Sequence, residues 1–190
     1  GIDTVEKFWE QLIYPTWDTG ATTSAGYENL MAERLCATGL VSRKESVRMA
    51  ATFAKRYFDA STIHPAWAPI LRELASRPSS TVVVATDHYA EATRRILDEL
   101  EKMGVSGMAA FHAKKREVEN KIIVANSADL GFLKSRPPFW RQLTDMLSDC
   151  SFSEILLIED FGCNETPDSK YSDMEKIVAR QKETVETLFR

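Results

Sequence analysis

The spacing of hydrophobic residues predicts that the first part of the chain is helical. Through the first 75 residues, apolar side chains recur every three or four positions. They predict helices over 4–14, 27–38, 42–58 and 65–75. We expect Pro15 to end the first helix and Gly39 the second. Ser42 and Glu45 have the spacing of a capping box, which predicts the start of the third helix. The small, polar residues at 17–26 predict a loop.

Beyond residue 80 the pattern changes to short apolar runs separated by helical stretches. Unbroken, β-branched runs are typical of parallel strands that are buried on both faces. They predict strands at 81–85, 108–111, 121–125 and 155–158. Helical spacing predicts helices at 89–103, at 136–147 and from Ser172 onward. We therefore predict an α/β protein: a helical unit at 1–62, then a parallel-sheet, Rossmann-like core at 63–190 with helices on both faces.

Composition narrows the classes of function. The 190-residue chain has a net charge of −4 and no long basic block, which argues against a nucleic-acid partner. No apolar run reaches the roughly 18–20 residues of a membrane span, and no signal peptide is recognisable, so we expect no membrane association. Cys36, Cys150 and Cys163 are odd in number and lack metal-ligand spacing. A disulfide framework is therefore not expected, and a reducing cytoplasm is favoured.

The most informative stretch is 155–165, where an apolar run stops at two carboxylates, Glu159 and Asp160. Acids at the C-terminal end of a parallel strand lie where open α/β sheets bind ligands. A pair of them can hold a hard cation such as magnesium. Asn164 and Glu165 come next, in a polar turn. The alternative interpretation is an ordinary strand end with solvated acids.

Two other segments carry side chains that could take part in ligand binding or catalysis. The strand at 81–85 leads into Thr86, whose hydroxyl could bind an anion at the N-terminus of the next helix. Asp87 follows, although it could simply cap that helix. Lys134 precedes a helix that begins at a proline pair. A lysine near a turn is usually solvated, but it can also supply the fixed positive charge of a phosphoryl-transfer site.

In order and spacing these segments resemble the haloacid dehalogenase-like hydrolase superfamily, whose members are mostly phosphatases. Val-Val-Val-Ala-Thr-Asp at 82–87 is similar to the second motif of the family. Gly-Phe-Leu-Lys-Ser-Arg-Pro-Pro-Phe-Trp at 131–140 is similar to the third, and Glu-Asp-Phe-Gly-Cys-Asn-Glu at 159–165 to the fourth. The resemblance covers residues 60–165. The helices before residue 60 stand where this family inserts a helical cap.

The resemblance implies a magnesium-dependent phosphatase whose partner is a small phosphorylated metabolite. Dehalogenation is the less favoured alternative. Lys134 would neutralise the nucleophile and the phosphate. The phosphoryl oxygens would be bound by Thr86, Asp87 and Asn164. The magnesium ion would be held by Asp160, with support from Glu159 and Glu165.

One element of the family is not in this sequence. It is an apolar strand ending in Asp-x-Asp-Gly-Thr, which supplies the nucleophile and the acid/base. The segment 1–9 is similar to the residues that come directly after that motif in the family, so either the strand has been removed or the protein does without it. Without a nucleophile the aspartyl-phosphate route is closed, so weak or no activity is predicted. Glu159 stands where the family has Gly, and this bulky acid is expected to disturb ligand binding.

A second interpretation is a non-catalytic binding or interaction protein on the same scaffold. A sheet without its central strand exposes edges that pair readily with another chain, and a homodimer would cover them. Two other residues are candidate nucleophiles. Asp18 has no buried strand before it, and Cys163 has no Cys-His signature, so neither is favoured.

Overall fold

A computed structural model of the chain describes residues 2–78, 80–113, 118, 120–148, 152–159 and 174–188. Helices occupy most of the chain before residue 77. They are α1 (Val5–Phe8), a π-helix (Trp9–Ile13), α2 (Tyr14–Gly20), α3 (Tyr27–Ala37), α4 (Arg43–Ala60) and α5 (Trp67–Ser76). The second part contains β1 (Val82–Thr86), α6 (Glu91–Lys102), β2 (Gly107–Ala109), a 3-10 turn (Ala110–His112), β3 (Ile122–Asn126), α7 (Ser127–Leu130), α8 (Pro137–Met146) and α9 (Met174–Leu188).

The predicted helix boundaries around 39–45 are confirmed. Gly39 follows α3 with a left-handed φ of 69°, a conformation that costs glycine no steric strain. Both halves of the capping box at the start of α4 are present. The amide of Glu45 donates to the Ser42 hydroxyl at 3.3 Å, and the Ser42 amide donates to the Glu45 carboxylate at 3.3 Å. These two bonds satisfy donors that a helix N-terminus otherwise leaves unpaired.

The prediction that Pro15 ends the first helix is wrong, and so is the first part of the predicted loop at 17–26. The chain stays helical to Gly20, because a π-helical turn puts Pro15 in the first turn of α2, where its missing N–H is tolerated. In an α-helix an amide at position 15 would bond the carbonyl of Gln11. Arg34 of α3 replaces that donor, with Nε and Nη2 at 3.2 and 3.1 Å from the Gln11 oxygen.

The described strands form a parallel sheet in the order β1-β3-β2. Val82 is opposite Ile122 and Thr86 is opposite Asn126, so β1 and β3 end at the same edge. Helices cover both faces, because alternate residues of β3 point into different clusters. Ile122 and Val124 pack with α5 and α6, whereas Ile123 and Ala125 pack with α8. The protein is therefore mixed α/β, as predicted.

The predicted fourth strand at 155–158 is wrong. Residues 152–159 contain no strand, and no described strand pairs with them. Leu156 and Ile158 are 81% and 71% exposed, and Leu157 packs against the cluster that contains Val83 and Ala85. The apolar run suggested burial on both faces. Only one face is covered, through Leu157, and the segment forms no ladder with a described strand.

The helical unit has its own buried cluster, and a residue from the second part completes it. The cluster consists of Leu12, Ile13, Tyr27, Met31, Ala32, Leu35, Ala50, Ala54 and Tyr89. Tyr89 comes from the turn between β1 and α6. Glu91 adds a second connection, because its carboxylate accepts the amide of Tyr27 at 2.7 and 2.9 Å and so caps α3. The domain boundary at 62/63 stays a prediction.

The ring of Tyr89 packs closely against the backbone of α2 at Gly20. The ring is 1% exposed, and a Cβ built on Gly20 would overlap its carbon atoms. The hydroxyl of Thr16 donates to the Leu12 carbonyl at 2.7 Å, so the Tyr89 hydroxyl donates to Thr16 at 3.0 Å. None of the helices in the described ranges is long and apolar enough to cross a membrane.

We expect Gly20→Ala to lower the free energy of unfolding by about 3 kcal/mol, because the new methyl group collides with a buried ring. Helix propensity alone predicts the opposite sign, a gain of about 1 kcal/mol for replacing a helical glycine. Urea unfolding followed by circular dichroism separates the two.

Gly39→Ala is the matched control. Nothing lies within 4 Å of a Cβ at this position, so only the strain of its positive φ should appear, about 1 kcal/mol. A Gly20→Ala variant as stable as the wild type would contradict the packing of Tyr89 on α2.

Candidate functional site

Residues from separate segments meet at the edge where β1 and β3 end. Asp87 follows β1, Ser127 follows β3, Lys134 lies in the turn before α8, and Glu159 ends the described segment 152–159. Polar side chains at the carboxyl ends of parallel strands occupy the usual ligand-binding position of an open α/β sheet. This edge is therefore the candidate site.

The backbone of Lys134 is held on both sides. Its amide donates to Oδ1 of Asp87 at 2.7 Å, and its carbonyl accepts from Nε1 of the buried Trp140 at 2.7 Å. The first bond ties Lys134 to the end of β1, and the second ties it to α8. The position from which its side chain starts is therefore fixed by two elements of the core.

The side chain of Lys134 forms an ion pair. Nζ lies 2.6 Å from Oε2 of Glu159, and the two side chains are 22% and 27% exposed. The usual expectation for a lysine near a turn, a solvated side chain, does not apply here. Partial burial makes this pair less screened than one on the open surface.

Asp87 positions Lys134 and does not cap the following helix. The residue before α6 is Ala90, and no side chain caps that helix, so the alternative interpretation of Asp87 is wrong. Burial raises the pKa of Asp87 above its ordinary value. The amide and charge of Lys134 and a bond with Ser127 oppose that rise, and the charge of Glu159 adds to it.

His88 connects the site to the helical unit, and no pattern in the sequence indicates this beyond its place after Asp87. Its amide donates to the Ser127 hydroxyl at 3.2 Å. Its Nδ1 accepts the amide of Tyr89 at 2.8 Å, so the proton is on Nε2, which donates to the hydroxyl of Tyr57 at 3.1 Å. Burial lowers the pKa of His88, which favours this neutral form.

Asn126 is a second residue that sequence reasoning missed. It ends β3 opposite Thr86, it is fully buried, and its Nδ2 donates to the carbonyl of Tyr89 at 3.0 Å. Its Oδ1 is buried without a hydrogen-bond partner in the described part of the chain. An asparagine that ends an otherwise apolar strand was the available signal, since buried amides need partners.

The predicted site residues are thus brought together in part. Asp87, Lys134 and Glu159 are in contact, and Thr86 lies half-buried at the end of β1. Asp160, Asn164 and Glu165 lie outside the described residues, as does Cys163. Asp18 lies exposed on α2. The roles assigned to all of these side chains stay predictions.

Within the described ranges, no group of three or more His, Cys, Asp or Glu side chains is placed to hold a metal ion. The carboxylate of Glu159 contacts an ammonium group, which competes with any cation for the same oxygens.

The sequence matches no protein-family model, no curated protein and no solved structure. The resemblance to the haloacid dehalogenase-like superfamily therefore depends on the residues themselves. It stays a prediction.

The raised pKa of Asp87 predicts a pH-dependent effect of Asp87→Asn. A carboxyl whose pKa is higher in the folded state binds its proton more tightly there. Its ionisation therefore costs stability as the pH rises above the ordinary value of 3.8. Asparagine keeps an acceptor for the Lys134 amide and cannot ionise. We expect the stability of the variant relative to the wild type to increase between pH 4 and pH 7.

Urea unfolding at several pH values measures this difference. Asp145→Asn, at an exposed position on α8, is the control for loss of one negative charge. A relative stability of Asp87→Asn that falls with rising pH would show that folding stabilises the Asp87 anion, contrary to a raised pKa.

Proposed function

We propose that this chain has the scaffold of a haloacid dehalogenase-like phosphatase, with a Rossmann-like core and a helical cap. Its ligands would be small phosphate esters, bound at the edge that carries Asp87 and Lys134. The observation that carries the proposal is the contact of Asp87 with Lys134 and of Lys134 with Glu159. Each residue comes from a different segment that resembles a motif of the family.

The fixed position of Lys134 supports a role in binding anions. Electrostatic stabilisation is most effective when the charge is already in place and does not have to be reorganised during the reaction. Bonds to Asp87 and Trp140 hold the lysine backbone, and the ion pair with Glu159 holds its ammonium at the sheet edge. A single positive charge on a rigid support is what binding a phosphoryl group requires.

The same geometry supports weak turnover or none. A nucleophilic carboxylate has to be ionised and free to approach phosphorus. Asp87 is engaged with Lys134 and Ser127 and has a raised pKa, and Glu159 is engaged with the lysine ammonium.

In this proposal, residues that come after Glu159 would bind a magnesium ion. Asp160 would be its main ligand, with Glu165 in support, and the ion would neutralise negative charge on the bound phosphate. The resemblance supports this assignment, which involves no geometry of the described residues.

A non-catalytic binding protein on the same scaffold is the second candidate, and the edge of β1 favours it. Among the described strands β1 pairs with β3 alone, so its other edge has no described partner. The strand reads Val-Val-Val-Ala-Thr and carries no charge or proline that would discourage pairing with another chain. Pairing with a second copy would give a homodimer.

Hydrolysis of p-nitrophenyl phosphate in the presence of magnesium tests the first proposal. We expect a turnover well below the range of about 1–10³ s⁻¹ found for typical enzymes. Lys134→Met removes the charge and keeps the length of the side chain. It should weaken binding of the ester at least ten-fold and abolish any residual turnover.

Lys121→Met, which removes a lysine just before β3, is the control and should leave binding within two-fold of the wild type. Ester binding that is equally strong without the Lys134 charge would contradict the site. Turnover at an ordinary enzymatic rate would contradict the weak-activity part. A chain that binds the ester without turnover and dimerises would favour the second candidate.

A further inference from the structure

We propose that Glu159 is an internal ligand of Lys134 that an incoming anion must displace, so that it sets the affinity of the site for phosphate groups. The proposal rests on the phosphate site proposed above. It adds a specificity-determining role for a residue that the resemblance would assign to metal binding.

The ion pair occupies the charge that a phosphate needs. The distance of 2.6 Å between Nζ of Lys134 and Oε2 of Glu159 is that of a direct, charge-assisted hydrogen bond. The lysine backbone is bonded to Asp87 and Trp140, and its ammonium is held by Glu159. An anion that approaches Lys134 therefore meets a carboxylate that is already bound there.

The charges around Lys134 also oppose the binding of a phosphate. Asp87 and Glu159 both influence this lysine, and with both carboxyls ionised the three groups carry a net charge of −1. A phosphate dianion would be repelled by that excess. Removal of the Glu159 charge alone makes the group neutral and leaves one oxygen ligand fewer on the ammonium.

The segment that carries Glu159 is not part of the described sheet. It ends at Glu159 without strand pairing to any described strand, and its Leu157 packs into the cluster with Val83 and Ala85. Leu156 and Ile158 on either side of Leu157 are mostly exposed. Movement of this segment would break no ladder hydrogen bonds among the described residues, so an anion that replaces the carboxylate at Lys134 does not have to disrupt the described sheet.

Binding of inorganic phosphate to the full chain tests the proposal, by isothermal titration calorimetry at low ionic strength. Glu159→Gln keeps the size of the side chain and removes its charge. We expect this variant to bind phosphate at least ten-fold more tightly than the wild type. The double variant Glu159→Gln/Lys134→Met should lose the whole gain, because the gain requires the freed ammonium.

Glu154→Gln is the matched control. It removes the same charge from an exposed position on the same segment, and it should change phosphate affinity by less than two-fold. Thermal unfolding of each variant verifies that it is folded.

Phosphate affinity of Glu159→Gln equal to that of the wild type would overturn the proposal, and so would a gain that persists without Lys134. Failure of the proposed function is a different result, namely ester binding that Lys134→Met leaves unchanged. Ester binding that depends on Lys134, without a gain in phosphate affinity from Glu159→Gln, refutes the role of Glu159 alone.

Discussion

The packing of the Tyr89 ring on the backbone of Gly20 is the contact on which the arrangement of the molecule depends. It brings the helical unit against the turn that follows β1, at a distance that a side chain at position 20 would prevent. The hydroxyl of Tyr89 is bonded to Thr16 and its carbonyl to Asn126, so one residue is fixed by both parts of the chain. A buried tyrosine whose hydroxyl and backbone carbonyl are both hydrogen-bonded contributes a specific orientation as well as apolar burial.

The fixed turn at 86–89 orients the candidate site. With Tyr89 directed into the helical unit, His88 reaches Tyr57 on α4, and Asp87 binds Lys134. The same turn therefore fastens the helical unit and places the lysine. In our proposal this explains why an anion site lies where the helical unit meets the sheet edge, and why Glu159, carried by a less firmly held segment, can regulate it.

Local patterns predicted much of this arrangement. The capping box at Ser42, the β-branched run at 81–85 and the position of Lys134 before a proline are signals within a few residues. The resemblance placed Asp87 and Lys134 at one proposed site, but it did not predict the bond between them. The failures depend on distant groups. Arg34 supports the chain at Pro15, and Leu157 packs with Val83 and Ala85 without joining the sheet. No local signal connects His88 with Tyr57.

The central claim is that segments around Asp87, Lys134 and Glu159 form one site, and a double-mutant cycle between Lys134 and Glu159 tests it most directly. Urea unfolding of the wild type, Lys134→Met, Glu159→Gln and the double variant gives the coupling energy of the pair. We predict a favourable coupling of about 1 kcal/mol at low salt that decreases in high salt. A coupling of zero at low salt would show that the two side chains are independent, and it would contradict the existence of a single site.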